Sequence, residues 1–144
     1  MRSLGLDVGG RRIGVAISDP LGVSAAPLEV LRDTDPAGLR RYVEEKVRQG
    51  VEVVVIGLPL TCRGEEGEQA RSTREYTRCI EDIEGARVVF WDERFSTVEA
   101  ERKLREAGRT IRGRKVDAEA AAVILQAYLE YSGGGSERKE RNGV

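Results

Sequence analysis

The sequence predicts an α/β domain built on a mixed five-stranded sheet flanked by helices. Apolar residues alternate with small or polar ones over Ser3–Asp19, a pattern typical of the two strands of a β-hairpin. Val51–Leu58 is almost continuously apolar and β-branched, as expected of a strand buried on both faces. Further along the chain, apolar strands alternate with helical segments, which favours parallel pairing with helices on the faces of the sheet.

Composition limits both the size and the chemistry of the protein. The 144 residues are 40% hydrophobic and only 5% aromatic, which predicts one domain with an aliphatic core. With 24 basic and 25 acidic residues the net charge is -1, so attraction to nucleic acid must come from local clusters of charge. The sequence contains no histidine, which excludes Ser-His-Asp and Cys-His catalysis and removes the commonest zinc ligand.

The composition also predicts the cellular compartment and the extent of the folded domain. Cys62 and Cys79 lack the spacing of a metal site and are expected to be free intracellular thiols. No signal pattern and no apolar run of about 20 residues occurs, so we expect a cytoplasmic protein without a membrane segment. The predicted domain covers residues 1–131, and the Gly/Ser-rich, charged residues 132–144 are expected to form a disordered tail.

The first half of the chain contains clear start and stop signals. Gly9 and Gly10 are predicted to supply the positive φ of a tight hairpin turn. A turn-rich connection over Pro20–Pro27 leads to a short third strand at Leu28–Leu31. Asp and Pro residues then precede an amphipathic helix over residues 36–49, which Gly50 ends.

The second half continues the alternation. A weak apolar stripe predicts a helix from Ala70 to Ile83, and Arg87–Trp91 is the last core strand. A capping box at Ser96 predicts a helix to about Ala107. Beyond it we expect a basic irregular segment over residues 109–116 and a final alanine-rich helix over Asp117–Tyr131.

Acidic residues stand at the ends of three of these elements. Asp7 lies between apolar neighbours near the end of the first strand, where a dry, unpaired carboxylate would cost several kcal/mol. Asp92 closes the last strand, and Asp117 begins the final helix on the stripe that faces the sheet. Functional groups gather at the carboxyl ends of strands in such sheets. Oxygen ligands suit Mg²⁺ or Mn²⁺, and such ions can assist phosphodiester cleavage.

Each acid also has a plainer interpretation. Asp117 could cap its helix, and Asp7 could bond to the backbone of the following turn. Asp92 could pair with Arg94. Asp92 and Glu93 point to opposite faces by strand alternation, and the pattern does not decide which of the two enters the site.

Four segments, in this order, resemble the motif blocks of one family: LGLDVGGRRIGVAISD, VVIGLPL, DERFSTVEAE and KVDAEAAAVILQAYL. They are similar to the YqgF (RuvX) family of pre-16S rRNA nucleases, once described as Holliday junction resolvase homologues. The resemblance implies an RNase H-like fold, divalent-metal phosphodiester chemistry and a nucleic-acid substrate. It places the family's acidic positions on Asp7, on the Asp92–Glu93 pair and on Asp117. The chain departs from the family after VVIGLPL, where residues 61–63 read TCR.

The expected function is therefore a metal-dependent nuclease that processes the 5′ end of pre-16S rRNA. We expect catalytic roles for Asp7, Asp92, Glu93 and Asp117, with Mg²⁺ or Mn²⁺ on Asp7, Asp92 and Asp117. A Holliday junction resolvase-like DNA nuclease is the alternative. A different class, an actin-like phosphate or nucleotide binder, is suggested by the glycine-containing hairpin. A third class is a non-catalytic nucleic-acid-binding module, since intact carboxylates do not prove turnover. The partner is expected to be pre-rRNA or branched DNA, and the protein a monomer or weak homodimer.

Basic residues cluster near two of the acidic positions. Between residues 102 and 115 the chain carries seven Lys or Arg residues and one Glu, which gives a local positive field just before Asp117. The residues expected to bind nucleic acid are Arg11, Arg12, Arg63, Arg109, Arg112, Arg114 and Lys115.

Overall fold

Five strands form one mixed sheet in the order β3-β2-β1-β4-β5. The computed structural model describes residues 1–95, Arg102, Glu106 and residues 117–132. The strands are β1 Arg2–Val8, β2 Arg12–Ser18, β3 Ala25–Arg32, β4 Val51–Leu58 and β5 Arg87–Asp92. β1 pairs antiparallel with β2 and parallel with β4, while β2–β3 is antiparallel and β4–β5 is parallel. The predicted mixed five-stranded sheet is confirmed.

Three helices lie within the described part of the chain: α1 Pro36–Arg48, α2 Glu68–Tyr76 and α3 Asp117–Tyr131. The sequence signals for α1 operate as predicted. The Asp35 carboxylate accepts a 2.8 Å hydrogen bond from the Gly38 amide, and a proline occupies the first turn. At the other end, Gly50 has a φ of +114°, a conformation that favours glycine.

Helices cover both faces of the sheet. On one face, α3 packs its alanines and Leu125 against Val55 and Trp91. On the other face, Leu39 and Val43 of α1 pack against Leu6 and its neighbours. From Val53 to Ile56, the side chains of β4 alternate between these two cores, as a period of two requires. Among the described residues, no helix is long and apolar enough to cross a membrane.

The turn between β1 and β2 differs from its prediction. Neither Gly9 nor Gly10 has a positive φ, so the expectation that this pair supplies one is wrong. The turn closes instead through the Gly9 amide, which donates to the Arg12 carbonyl at 2.8 Å. A Cβ on Gly9 would lie 2.9 Å from that same oxygen, so close backbone approach explains glycine at this position.

Two further elements have bounds that the sequence did not indicate. β3 begins at Ala25, three residues before the predicted start, because an edge strand tolerates Pro27 next to a register shift. The helix predicted to reach Ile83 ends at Tyr76 and continues as a 3₁₀ segment over Thr77–Ile80. There the Thr77 hydroxyl donates to the Thr73 carbonyl, a bond that competes with regular helix geometry.

Several predictions fall outside the described residues. They are the helix from Ser96 to about Ala107, the basic segment over residues 109–116, and the tail beyond Ser132. Arg102 and Glu106 are described, and they form an ion pair of 2.6 Å at a spacing of four residues.

Candidate active site

Three glycines on adjacent strands allow α3 to lie close to the sheet. Gly5, Gly14 and Gly57 all face this helix. A Cβ on Gly14 would lie 1.9 Å from the Asp117 carbonyl oxygen, and one on Gly57 would lie 2.6 Å from Ile124 Cδ1. Glycine within a strand often marks such a close approach. The missing side chains therefore set the position of the first turn of α3.

This close approach brings together carboxylates from three elements. Asp7 is the register partner of Gly14, so it lies beside the start of α3 and near Asp117. Glu93 follows β5, and its Oε2 lies 3.0 Å from where a Cβ on Gly57 would stand. Because β4 lies between β1 and β5, the Glu93 side chain crosses Gly57 toward Asp7. We call Asp7, Glu93 and Asp117 the acidic cluster.

Burial and mutual repulsion govern protonation in the acidic cluster. Burial raises the pKa of Asp7, the nearby Asp117 charge raises it further, and a hydrogen bond from Glu93 acts in the opposite direction. Burial, followed by the charge of Asp7, raises the pKa of Glu93 to about 7. Glu93 therefore carries the proton of the pair and donates it to the ionised Asp7 carboxylate.

Asp117 is balanced by a cation on β2. Arg12 Nε lies 3.1 Å from Asp117 Oδ2, and both side chains remain partly open to solvent. An exposed pair of this kind contributes little to stability. Each negative charge of the acidic cluster thus has a neighbouring positive charge, a proton or a guanidinium, that a bound cation could replace.

Asp92 lies in a different environment from its neighbour Glu93. Its side chain is almost fully buried and is held by Arg94, whose Nη2 and backbone amide lie 2.7 and 2.9 Å from the carboxylate oxygens. The Arg94 guanidinium also donates to the Cys62 carbonyl, so the pair connects β5 to the loop after β4. The structure therefore brings Glu93, and not Asp92, beside Asp7, and Asp92 adopts the arginine pairing that the sequence left open.

Three of the predicted nucleic-acid-binding residues lie in the described part of the chain, in the β1–β2 hairpin and in the loop after β4. Arg11 forms an exposed ion pair with Asp33 at 3.1 Å, Arg12 pairs with Asp117, and Arg63 lies exposed in the loop after β4. The other members of the set lie outside the described residues: Arg109, Arg112, Arg114 and Lys115. Sequence reasoning missed the structural role of Gly14 and Gly57, although glycine within an apolar strand was the available signal.

The donor set of the acidic cluster fits a hard divalent cation. Its groups offer carboxylate oxygens only, which suits Mg²⁺ or Mn²⁺. Within residues 1–95 and 117–132, no group of three such side chains is already arranged to hold a metal ion. The Asp117 carboxylate, which now faces Arg12, would have to turn toward Asp7 and Glu93 to complete the set.

Comparison with known structures defines the class of fold. T. thermophilus RuvC in complex with a Holliday junction substrate matches with a TM-score of 0.68 at 16% identity, over 94% of this chain and 97% of that chain. The fold is therefore RNase H-like, as the sequence predicted.

Sequence comparison defines the family. The family model described as "RuvX: Holliday junction resolvase" matches residues 1–131. A protein of Desulforudis audaxviator (strain MP104C) is 46% identical over 132 residues, which cover 90% of this chain and 94% of the relative. A protein of Sulfurihydrogenibium sp. (strain YO3AOP1) is 42% identical over 139 residues, 90% of each chain. Both carry the name "Putative pre-16S rRNA nuclease". The chain belongs to the RuvX (YqgF) family.

Proposed function

We propose that the protein is an Mg²⁺- or Mn²⁺-dependent nuclease that cleaves phosphodiester bonds in structured nucleic acid at the acidic cluster. One observation carries the proposal. Carboxyl groups from the ends of β1 and β5 and the start of α3 converge, and two of them share a proton while Arg12 faces the third. Such crowding of acids is costly for the fold and is typical of a functional site.

The residues at and beside the acidic cluster have different proposed roles. Asp7, Glu93 and Asp117 would hold the cation, which would supply water activation and stabilisation of the leaving oxygen. To act as a ligand, Glu93 would have to lose the proton that it shares with Asp7. Arg12, once Asp117 turns away, is free to contact a substrate phosphate. Asp92 acts through Arg94, which it orients beside the loop after β4.

The names of the relatives suggest the substrate. We propose the 5′ end of pre-16S rRNA, which the protein would meet in the cytoplasm as a monomer or weak homodimer. Branched DNA is the second candidate, because the description of the matching family names a Holliday junction resolvase. Cleavage of either substrate breaks a phosphodiester bond, and the two substrates differ in the nucleic-acid strand that the protein must bind.

The direct test offers both substrates side by side. A precursor rRNA end and a four-way DNA junction are incubated with Mg²⁺, Mn²⁺, Zn²⁺ or EDTA. We expect cleavage of the RNA with Mg²⁺ or Mn²⁺, because these ions prefer oxygen ligands, and none with EDTA or with stoichiometric Zn²⁺ alone. Cleavage that persists in EDTA would contradict the metal dependence, and cleavage of the junction alone would select the second substrate.

Paired variants then test which acid acts in the site. Glu93→Gln is expected to lower cleavage by more than about 100-fold, because a ligand is lost. Asp92→Asn is expected to retain cleavage within about tenfold and to lower stability, because Arg94 loses a buried carboxylate partner. Glu81→Gln, at an exposed acid away from the site, is the matched control. Equal losses in the Asp92 and Glu93 variants would contradict this division of roles.

A further inference from the structure

A groove lies along α2 at the same edge of the sheet as the acidic cluster, and it is formed by two cavities that share Gln69 and Ser72. The first has a volume of about 330 Å³ and is bounded by the β1–β2 turn. The second has a volume of about 540 Å³ and is bounded by the loop over residues 59–61. Gln69 and Ser72 are three residues apart on α2, so their side chains occupy one face of the helix. We call the two cavities together the α2 groove.

The groove and the acidic cluster lie at the same edge of the sheet. The first cavity begins at Val8, which follows Asp7 in β1. The second begins at Pro59, two residues after Gly57, over which the Glu93 side chain passes. Val8 and Asp7 face opposite sides of the sheet, because side chains alternate along a strand. The groove and the acidic cluster therefore lie on opposite faces at one edge of the sheet, and a polymer bound at both would pass over the β1–β2 turn.

The lining of the first cavity is neutral and amphipathic. Its apolar part comes from Val8, Ile13 and the ring of Tyr76, whose hydroxyl donates to the Thr34 carbonyl and is thus already satisfied. A flat ligand with apolar faces suits such walls. Its charged members, Arg11 and Asp33, pair with each other at 3.1 Å, so the lining carries no net charge that would attract a phosphate.

The polar part of the lining can form hydrogen bonds with the edge of such a ligand. The Gln69 amide offers donors and an acceptor, and the Ser72 hydroxyl offers both. Both residues are exposed on α2, so their side chains are accessible from the groove. Apolar faces with a hydrogen-bonding edge describe a nucleobase, and a base in a duplex could not enter because its edge is already paired.

Gly10, which lines the first cavity, leaves open space beside the groove. Its φ is not positive, and a Cβ there would meet no protein atom within 4 Å. The fold therefore gives no steric reason for glycine at this position. A backbone without a side chain leaves room for close approach by a bound molecule.

We propose that the α2 groove binds an unpaired nucleotide of the substrate strand, with the base held against the apolar lining and its edge bonded to Gln69 and Ser72. The inference rests on the proposed nuclease function and adds a subsite that selects a single-stranded or splayed nucleotide beside the scissile bond. The unpaired nucleotide can come from RNA or from DNA, and both are included in the test.

Equilibrium binding without metal tests the groove separately from cleavage. Fluorescence anisotropy measures the affinity of a short single-stranded RNA, the same sequence as single-stranded DNA, and its blunt duplex, all in EDTA. Ser72→Phe fills the groove from an exposed helix position, and Gln69→Ala removes the amide without adding bulk. Glu75→Phe, on the same helix but outside the lining, is the matched control for the added ring. Thermal melts confirm that all variants are folded.

We expect Ser72→Phe to weaken single-strand binding by about tenfold, the scale of one lost base contact, and to leave duplex binding unchanged. Gln69→Ala should weaken it less. A single abasic nucleotide, moved along the strand, should weaken binding to the wild type at one position and have no such effect in Ser72→Phe. A stronger effect with RNA or with DNA identifies the source of the nucleotide.

Equal single-strand affinities for the wild type, Ser72→Phe and Glu75→Phe would overturn the groove proposal, as would an equal loss with the duplex. The proposed function fails by a different result, namely no cleavage of either substrate by the wild type with Mg²⁺ or Mn²⁺. The two failures are therefore distinguishable.

Discussion

Replacing Glu93 by glutamine is expected to stabilise the metal-free protein above neutral pH and to leave its stability unchanged at about pH 4, below the unfolded pKa of 4.5. In the folded chain the pKa of Glu93 is raised from 4.5 to about 7, so between these values the folded state binds more protons than the unfolded state. Stability conferred by a raised pKa is present below the unfolded value and is lost as pH rises through the folded value. Glutamine cannot ionise and avoids that loss.

The size of the effect follows from the same shift. Each pKa unit corresponds to about 1.4 kcal/mol, so the full shift would give an upper limit of about 3.5 kcal/mol. Glu93 is only partly buried, and solvent screening reduces this to about 1–2 kcal/mol. For a domain of this size, that gain corresponds to an increase in Tm of about 3–6 °C.

Thermal melts in EDTA at about pH 4 and about pH 8 measure this gain, with Glu81→Gln as the control for loss of an exposed charge. The reasoning is refuted if Glu93→Gln melts at or below the wild-type temperature at the higher pH. It is refuted equally if the gain is the same at both pH values, since the gain would then be unrelated to ionisation.

Two further predictions concern the position of α3 and the basic segment before it. Gly14→Ala should lower stability by about 2 kcal/mol or more and reduce cleavage, because a Cβ would stand 1.9 Å from the Asp117 carbonyl oxygen. Gly10→Ala should leave the melting temperature unchanged or slightly raised, because a Cβ there meets no atom within 4 Å. Equal melting temperatures for the two variants would contradict the close approach of helix and sheet. Replacing Arg109, Arg112 and Arg114 by alanine should weaken binding across nucleic-acid sequences and flatten the slope of log K against log salt by up to about 2.7. An unchanged slope would exclude this segment as a phosphate contact.

The strands and the first helix could be predicted from the sequence because local signals agreed with tertiary structure. The alternation in the hairpin, the apolar run of β4 and the Asp–Pro start of α1 each specify one element through a short-range cause. The start of β3 was harder to predict from the sequence. Pro27 is typical of a turn, but an edge strand of the sheet tolerates it. The end of α2 depends on a threonine hydroxyl whose bonding partner periodicity does not reveal.

For the candidate site, the sequence predicted only which acidic residues stand at the ends of strands and helices. Asp7 was identifiable because an acid in an apolar strand requires an explanation, and Asp117 because it lies on the apolar stripe of α3. The choice between Asp92 and Glu93 depends on which face of β5 meets α3 and on Arg94 as a partner, both of which are tertiary facts. Gly14 and Gly57 are apparent as glycines within strand sequences, but their role in the close approach of α3 depends on where that helix packs.

Proton release on Mn²⁺ binding tests the central claim that Asp7, Glu93 and Asp117 form the metal site. Calorimetric titrations at about pH 6, in buffers of different ionisation enthalpy, count the protons displaced when the metal binds. Because the pKa of Glu93 is about 7, the wild type should release about one proton, and Glu93→Gln should release almost none and bind more weakly. Glu81→Gln should match the wild type. Binding of Mn²⁺ without proton release, or with the same affinity and proton count in Glu93→Gln, would place the metal elsewhere and contradict the account.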